Sequence, residues 1–169
     1  MDTEATRSHS LFLSGNEAVA QGAFEAGVAV AAAYPGTPST EILETLAAHE
    51  GIHAEWSVNE KVALEVALGA SMDGRRALTA MKHVGLNVAA DTLMSTGLTG
   101  ASGGLVIAVA DDVGFSSSQN EQDSRFWSRF VHLPVLEPAD AQESYDMTRA
   151  AFALSERFQI GRASCRERV

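Results

Sequence analysis

The chain has 169 residues, 46% of them hydrophobic and 20% charged, with a formal net charge of −10. This is ordinary globular composition at a length that suits one domain with a real core. The acidic balance argues against nucleic-acid binding, because phosphates are repelled. No apolar run approaches about 18 uncharged residues, so no membrane span is expected. With Asp2 and Glu4 and no signal-peptide pattern at the N-terminus, the expected location is the cytoplasm.

Residues 1–10 are polar and read as disordered. Ser14 with Glu17 three residues later is a capping box that opens a helix to Ala26, and Gly27 ends it. The apolar run Val28–Tyr34 reads as a strand. It breaks into Tyr34-Pro-Gly-Thr-Pro-Ser-Thr40, a turn with two prolines around Gly36, the residue free to take a positive φ. Thr37 is placed to cap a helix from Pro38 to about His49. Ile52–Trp56 is a second strand, and Ser57–Gly74 a long alanine-rich helix fit for close packing on a sheet. Ala77–Met81 is a third strand, followed by a loop at Lys82–Asn87 and a helix over Asn87–Leu98. Gly104–Ala110 is apolar on both faces, as a central parallel strand is. A polar loop at Asp111–Gln122, a short helix at Asp123–Phe130, a short strand at Pro134–Leu136 and a helix at Ala139–Phe158 complete the series.

Alternating strands and helices predict a doubly wound α/β domain, with a mostly parallel sheet and helices on both faces. The last helix should deliver into a further strand. Instead, Ile160-Gly-Arg-Ala-Ser-Cys-Arg-Glu-Arg-Val169 matches a common sequencing adapter translated in one frame. The expectation is therefore an authentic domain at 11–159, a sheet truncated before its last strand, and an artefactual segment at 160–169. The alternative is a short basic tail. Without that segment three arginines and one glutamate leave the count, and so does Cys165, the single cysteine.

In open parallel sheets ligands sit beyond the carboxyl ends of the strands, here at 34–40, 56–60, 82–87 and 111–123. Neither a Walker loop nor a G-x-G-x-x-G nor a G-x-S-x-G motif occurs. His49 and His53 are four apart, but Gly51 interrupts them and further ligands are not nearby, which is a weak zinc pattern. Glu60 has two readings. Ser57 and Glu60 make a capping box, and a glutamate in the first turn beyond a strand also projects into the crevice, where it can exchange a proton with a heterocycle. Lys82–Asn87 reads equally as a solvated loop and as a binding segment, and the polar run Ser116–Arg125 as a solvated loop or an ordered substrate loop.

Four segments taken together, YPGTPSTEILETLA, EWSVNEKVALEVALGAS, MKHVGLNVAADTLM and SSQNEQDSRFW, resemble the N-terminal domain of the indolepyruvate:ferredoxin oxidoreductase alpha subunit. The resemblance covers about residues 11–159. It also extends to the wider thiamine-diphosphate-dependent 2-oxoacid:ferredoxin oxidoreductases, whose pyruvate members have a similar Y-P-x-T-P-S turn. It implies that this domain holds the aminopyrimidine ring of thiamine diphosphate. Glu60 would hydrogen-bond ring nitrogen N1′ as the catalytic carboxylate, with Val58, Val62 and Ala63 as apolar neighbours. Tyr34, Pro35, Gly36, His83, Gly85 and Asn87 would line the cofactor, and Thr37, Lys82, Gln119 and Asn120 the substrate.

The same resemblance implies oxidative decarboxylation of a 2-oxoacid, with electrons to ferredoxin and the acyl group to coenzyme A. Pyruvate enzymes have an arginine for the substrate carboxylate just after the central strand. Ala110-Asp-Asp112 stands there instead, and Gln119–Arg125 is more like the aryl-pyruvate branch. The family's G-D-G motif for diphosphate and Mg2+ and its iron–sulfur cysteine motifs do not occur in this chain. Those groups are expected in the rest of the subunit, and the beta subunit as a partner. The isolated chain is expected to be inactive.

Two alternatives stay open: a non-catalytic module that binds a partner subunit or small ligand in the same crevice, and an enzyme of the superfamily with another 2-oxoacid. Sequencing the 3′ end of the gene is expected to show a reading frame that continues past Gln159 into a G-D-G motif and cysteine motifs. An uninterrupted genomic match through Val169 to a stop codon would overturn that expectation.

Overall fold

The computed structural model describes residues 10–159 and 162–165. The N-terminus expected to be disordered therefore lies outside the described residues, save for the exposed Ser10.

Helix α1, Gly15–Glu25, opens on the expected capping box. The Ser14 amide donates to Glu17 Oε2 at 2.7 Å, and the Glu17 amide donates to Ser14 Oγ at 3.3 Å. Strand β1, Val30–Ala33, leads to α2, Thr40–Ala47, and then to β2, His53–Trp56. Helix α3, Glu60–Met72, returns the chain to β3, Ala77–Lys82. Helices α4, His83–Val88, and α5, Ala90–Thr99, meet at Ala89 and lead to β4, Leu105–Ala110. After the segment 111–124 come α6, Arg125–Phe130, β5, Val135–Leu136, and α7, Ala141–Phe158, capped by the Asp140 side chain.

Three helix starts differ from expectation. Helix α2 begins at Thr40 rather than Pro38, because the turn satisfies itself first: the Ser39 amide and hydroxyl both donate to the Gly36 carbonyl, at 2.9 and 2.8 Å. Thr37 is not the cap. Helix α3 is capped by Asn59, whose Oδ1 accepts from the Val62 amide at 2.9 Å, so Ser57 and Glu60 form no capping box. Most of the segment Lys82–Asn87, read as a loop, is helical, since α4 starts at His83 directly after β3. Burial of His83 and Leu86 outweighs the weak helix propensity of the segment.

The sheet has the order β2-β1-β3-β4-β6-β5 and every pairing is parallel. Strand β6, Arg162–Cys165, occupies the place after α7 that the sequence reading left empty. Strands β4 and β5 present bare peptide groups on both sides of that slot. Pairing there needs extended backbone and little from the side chains.

Side chains alternate across the sheet. Leu78, Ala80, Val106 and Ala108 join Val19, Leu43, Leu46 and Phe152 of α1, α2 and α7 on one face. Met81, Ile107 and Val109 join Leu64, Leu86 and Leu93 of α3, α4 and α5 on the other. Ala31, Ala32 and Ala33 of β1 are fully buried, so helices approach both its faces closely. Helices α1 and α7 also cross tightly: a Cβ on Gly22 would lie 2.6 Å from the Tyr145 carbonyl oxygen.

A polar clamp closes the amino edge of the sheet. Arg76 donates to both Glu156 carboxylate oxygens, at 2.6 and 2.7 Å, and to the Ala26 carbonyl at the end of α1. This bidentate bond holds the Glu156 carboxyl below its ordinary value of 4.5. Its contribution is thus present above pH 4.5 and lost as pH falls through the lower folded value. Arg76→Met is expected to lower stability at pH 7 by about 1–2 kcal/mol, since both side chains are about a third exposed and partly screened. Urea denaturation at pH 7 and below pH 4 checks this, the difference between the two proteins shrinking at the lower pH.

Candidate functional site

Strand β1 passes to β2 on one side of the sheet, and β3 passes to β4 on the other. The chain reverses direction of travel between β1 and β3, and their carboxyl ends therefore flank an open crevice, the usual ligand position in such sheets. Four segments converge there: the turn 34–40 after β1, the start of α3 after β2, Lys82–Gly85 after β3, and 111–124 after β4.

Glu60 is 8% exposed, and no hydrogen bond or ion pair joins its carboxylate to any described residue. The side chain is mostly buried while its carboxylate oxygens keep some exposure, which leaves them open to a ligand. It lies against Gly85 in the first turn of α4. A Cβ there would meet Glu60 Oε1 at 2.5 Å and its Cδ at 2.8 Å. Gly85 is thus required for space rather than for a special backbone angle. Ala63 is buried behind Glu60, whereas Val58, expected among its apolar neighbours, is 78% exposed. Ser57, at the end of β2, has a buried hydroxyl with no partner among the described residues.

Lys82 joins two walls. Its stem would stand 3.6 Å from a Cβ on Gly36, and Nζ donates to the Ser117 carbonyl at 3.2 Å. Gly36 does not take the positive φ expected of it. Its amide donates to Thr40 Oγ1 at 3.1 Å, and the Thr37–Pro38 peptide is cis. Tyr34, Pro35 and Thr37 stand exposed at the rim.

His83 and Asn87, expected to line a cofactor, are engaged by protein partners. The imidazole of His83 is fully buried. Nε2 donates to the Asn120 carbonyl at 2.8 Å, and Nδ1 accepts from the Asp112 amide at 3.4 Å, partners that select the tautomer protonated on Nε2. Asn87 Oδ1 accepts from Trp127 Nε1 at 3.2 Å, so its side chain ties α4 to α6. Asn120 contributes its carbonyl to His83, and Gln119 is exposed on the loop.

The segment 111–124 is held from within as well. Asp111, buried, accepts from the Ser124 amide at 3.2 Å and its hydroxyl at 2.5 Å and closes the neck. The Asp112 carboxylate accepts from the Ser117 and Ser116 amides, which push its titration below the ordinary aspartate range. Sequence reasoning missed Asp111 and Trp127 as organising residues. An acid placed directly after an all-apolar strand was the available signal for the first. Outside the crevice, His49 stacks on Phe24 with centroids 4.0 Å apart, and His53 pairs with Glu55 at 2.9 Å. Among the described residues no group of three or more His, Cys, Asp or Glu is placed to hold a metal, and no helix is long and apolar enough to cross a membrane.

The fold and its crevice define an open parallel α/β domain with a ligand site at the switch between β1 and β3. Residues 21–167 match the family described as pyruvate flavodoxin/ferredoxin oxidoreductase, thiamine diphosphate-binding, and the chain belongs to that family. It is 55% identical over 152 residues to the indolepyruvate oxidoreductase subunit IorA of Thermococcus kodakarensis, covering 88% of this chain and 24% of that protein. It is 53% identical over 157 residues to the IorA of Archaeoglobus fulgidus, covering 89% and 25%. With the 2-oxoglutarate synthase subunit KorA of Methanothermobacter thermautotrophicus it shares 31% over 160 residues, 88% and 42%. The chain thus spans about a quarter of the length of its indolepyruvate oxidoreductase relatives. A 2-oxoglutarate:ferredoxin oxidoreductase from Magnetococcus marinus, solved with 2-oxoglutarate, coenzyme A and succinyl-CoA bound, has the same fold. The TM-score is 0.79 at 24% identity, over 92% of this chain and 28% of that one.

Gly85→Ala in the full-length subunit is expected to displace the Glu60 carboxyl and weaken thiamine diphosphate binding by about tenfold or more. Stability should change by less than ~1 kcal/mol, since alanine is the better helix former. Cofactor titration by tryptophan fluorescence, beside a melting curve, checks both.

Proposed function

We propose that this chain is the aminopyrimidine-holding half-site of a thiamine-diphosphate-dependent 2-oxoacid:ferredoxin oxidoreductase whose substrate is an aryl 2-oxoacid of the indolepyruvate type. The observation that carries this is the carboxyl of Glu60 at the switch crevice, on a mostly buried side chain and without a hydrogen-bond partner among the described residues. The donor set fits the group. An aminopyrimidine presents a basic ring nitrogen, and Glu60 offers a carboxyl with no competing protein partner, backed by a glycine that leaves the ring's edge unobstructed. Thiamine diphosphate, when bound, supplies the nucleophile and electron sink for decarboxylation.

In this reading Glu60 holds a proton at N1′ and orients the ring. The 34–40 turn and Gly36 shape one wall, Thr37 and Lys82 border the 2-oxoacid, and Gln119 and Asn120 belong to the segment that meets its side chain. Lys82 is the cation at the crevice suited to a carboxylate, standing where pyruvate enzymes rely on an arginine elsewhere. Asp111 and Asp112 fill that other position and are engaged by Ser124 and by the Ser116 and Ser117 amides. The higher identity to indolepyruvate oxidoreductase subunits than to a 2-oxoglutarate synthase subunit supports the aryl substrate.

The domain at 11–159 then works against a diphosphate-binding domain in the rest of the subunit, where Mg2+ and iron–sulfur clusters belong. A beta subunit, ferredoxin and coenzyme A complete a cytoplasmic reaction.

Glu60→Gln in the complete enzyme is expected to cut 2-oxoacid-dependent ferredoxin reduction by about 10²–10⁴-fold with an unchanged melting temperature. Near-normal turnover would remove Glu60 from the role. Assay of the unsubstituted enzyme with indolepyruvate, phenylpyruvate and pyruvate is expected to favour the aryl substrates, and a preference for pyruvate would overturn that assignment.

A further inference from the structure

Resting on that reading, we infer that His83 is a positioning residue for substrate selection: it holds the 111–124 segment against the carboxyl end of β3 without touching cofactor or substrate itself. Within the segment, most hydrogen bonds are local. Asp112 receives the Ser116 and Ser117 amides, and Glu121 receives the Gly114 amide at 3.2 Å. Such bonds shape the loop but do not locate it on the sheet.

Asp111 closes the neck on Ser124, which is local as well. Location comes from two residues outside the segment: Lys82 Nζ reaches the Ser117 carbonyl, and His83 takes both limbs at once. The Lys82 contact is exposed and flexible, worth little by itself. The His83 contacts are made by a fully buried ring, with one nitrogen on the outgoing limb at Asp112 and the other on the returning limb at Asn120. A buried imidazole whose two nitrogens meet backbone groups of opposite character has one orientation that satisfies both. The limbs are therefore held at a separation set by the ring. Because Lys82 precedes His83 and lies over Gly36, the same anchor sets how far the loop stands from the 34–40 turn. That distance is the width available to the substrate's side chain, and Gln119 lies one residue before the anchored carbonyl.

His83→Leu and His83→Gln in the complete enzyme test this. Leucine keeps the volume and removes both bonds, while glutamine keeps a donor near the Nε2 position. In the leucine variant, amide hydrogen exchange across 112–120 is expected to rise about tenfold or more, and KM for indolepyruvate by about tenfold. The kcat and the thiamine diphosphate concentration for half-activation should stay within about twofold, and discrimination between indolepyruvate and pyruvate should narrow. Glutamine should recover part of both effects. A direct cofactor contact would instead raise the thiamine diphosphate requirement, which overturns the inference. So would unchanged loop exchange, or an equal loss on all substrates without a KM change. If the unsubstituted enzyme turned over none of the three 2-oxoacids, the functional reading would fall. The exchange measurement would still decide whether His83 holds the loop.

Discussion

The parallel pairing of β1 with β2 on one side and β3 on the other is the constraint from which the rest of the molecule follows. Val30 to Ala33 pair in register with His53 to Trp56 and with Ala77 to Ala80, so one short strand has both edges satisfied. With alanines at three of its four positions, it keeps helices close on both faces. It also forces the chain to leave β1 and β3 in opposite directions, which opens the crevice at their carboxyl ends. The buried Glu60, the exposed 34–40 turn and the Lys82–Gly85 helix start meet there because the sheet order allows no other outlet.

At a net charge of −10, the long-range field of the protein opposes anions. Locally, the nearest carboxylates are already engaged: Asp111 by Ser124, Asp112 by two backbone amides. Fixed donors lower the potential those groups present, and Lys82 adds positive charge between two walls. Among the described residues, no hydrogen bond or ion pair engages the Glu60 carboxylate.

The chain spans about a quarter of the length of its indolepyruvate oxidoreductase relatives, yet its parallel sheet is packed on both faces. Strand β6, in the segment that the sequence reading expected to be artefactual, pairs with β4 and β5, since backbone hydrogen bonding is nearly blind to side chains.

Local and periodic signals in the sequence carry the alternation of strands and helices, the capping box at Ser14 and the apolar central strand. Each is legible from neighbouring residues. The resemblance of four motifs added the cofactor class and the choice of Glu60, which the local pattern read equally as a helix cap. Which polar residues cap, pack or pair with distant segments depends instead on the tertiary structure. Asn59 rather than Ser57 caps α3, Gly85 makes room for Glu60, and His83 and Asn87 face protein partners far along the chain. Those outcomes depend on which segments the sheet order brings together. A hydrogen bond between residues 37 or 40 positions apart leaves no periodicity in the sequence to betray it.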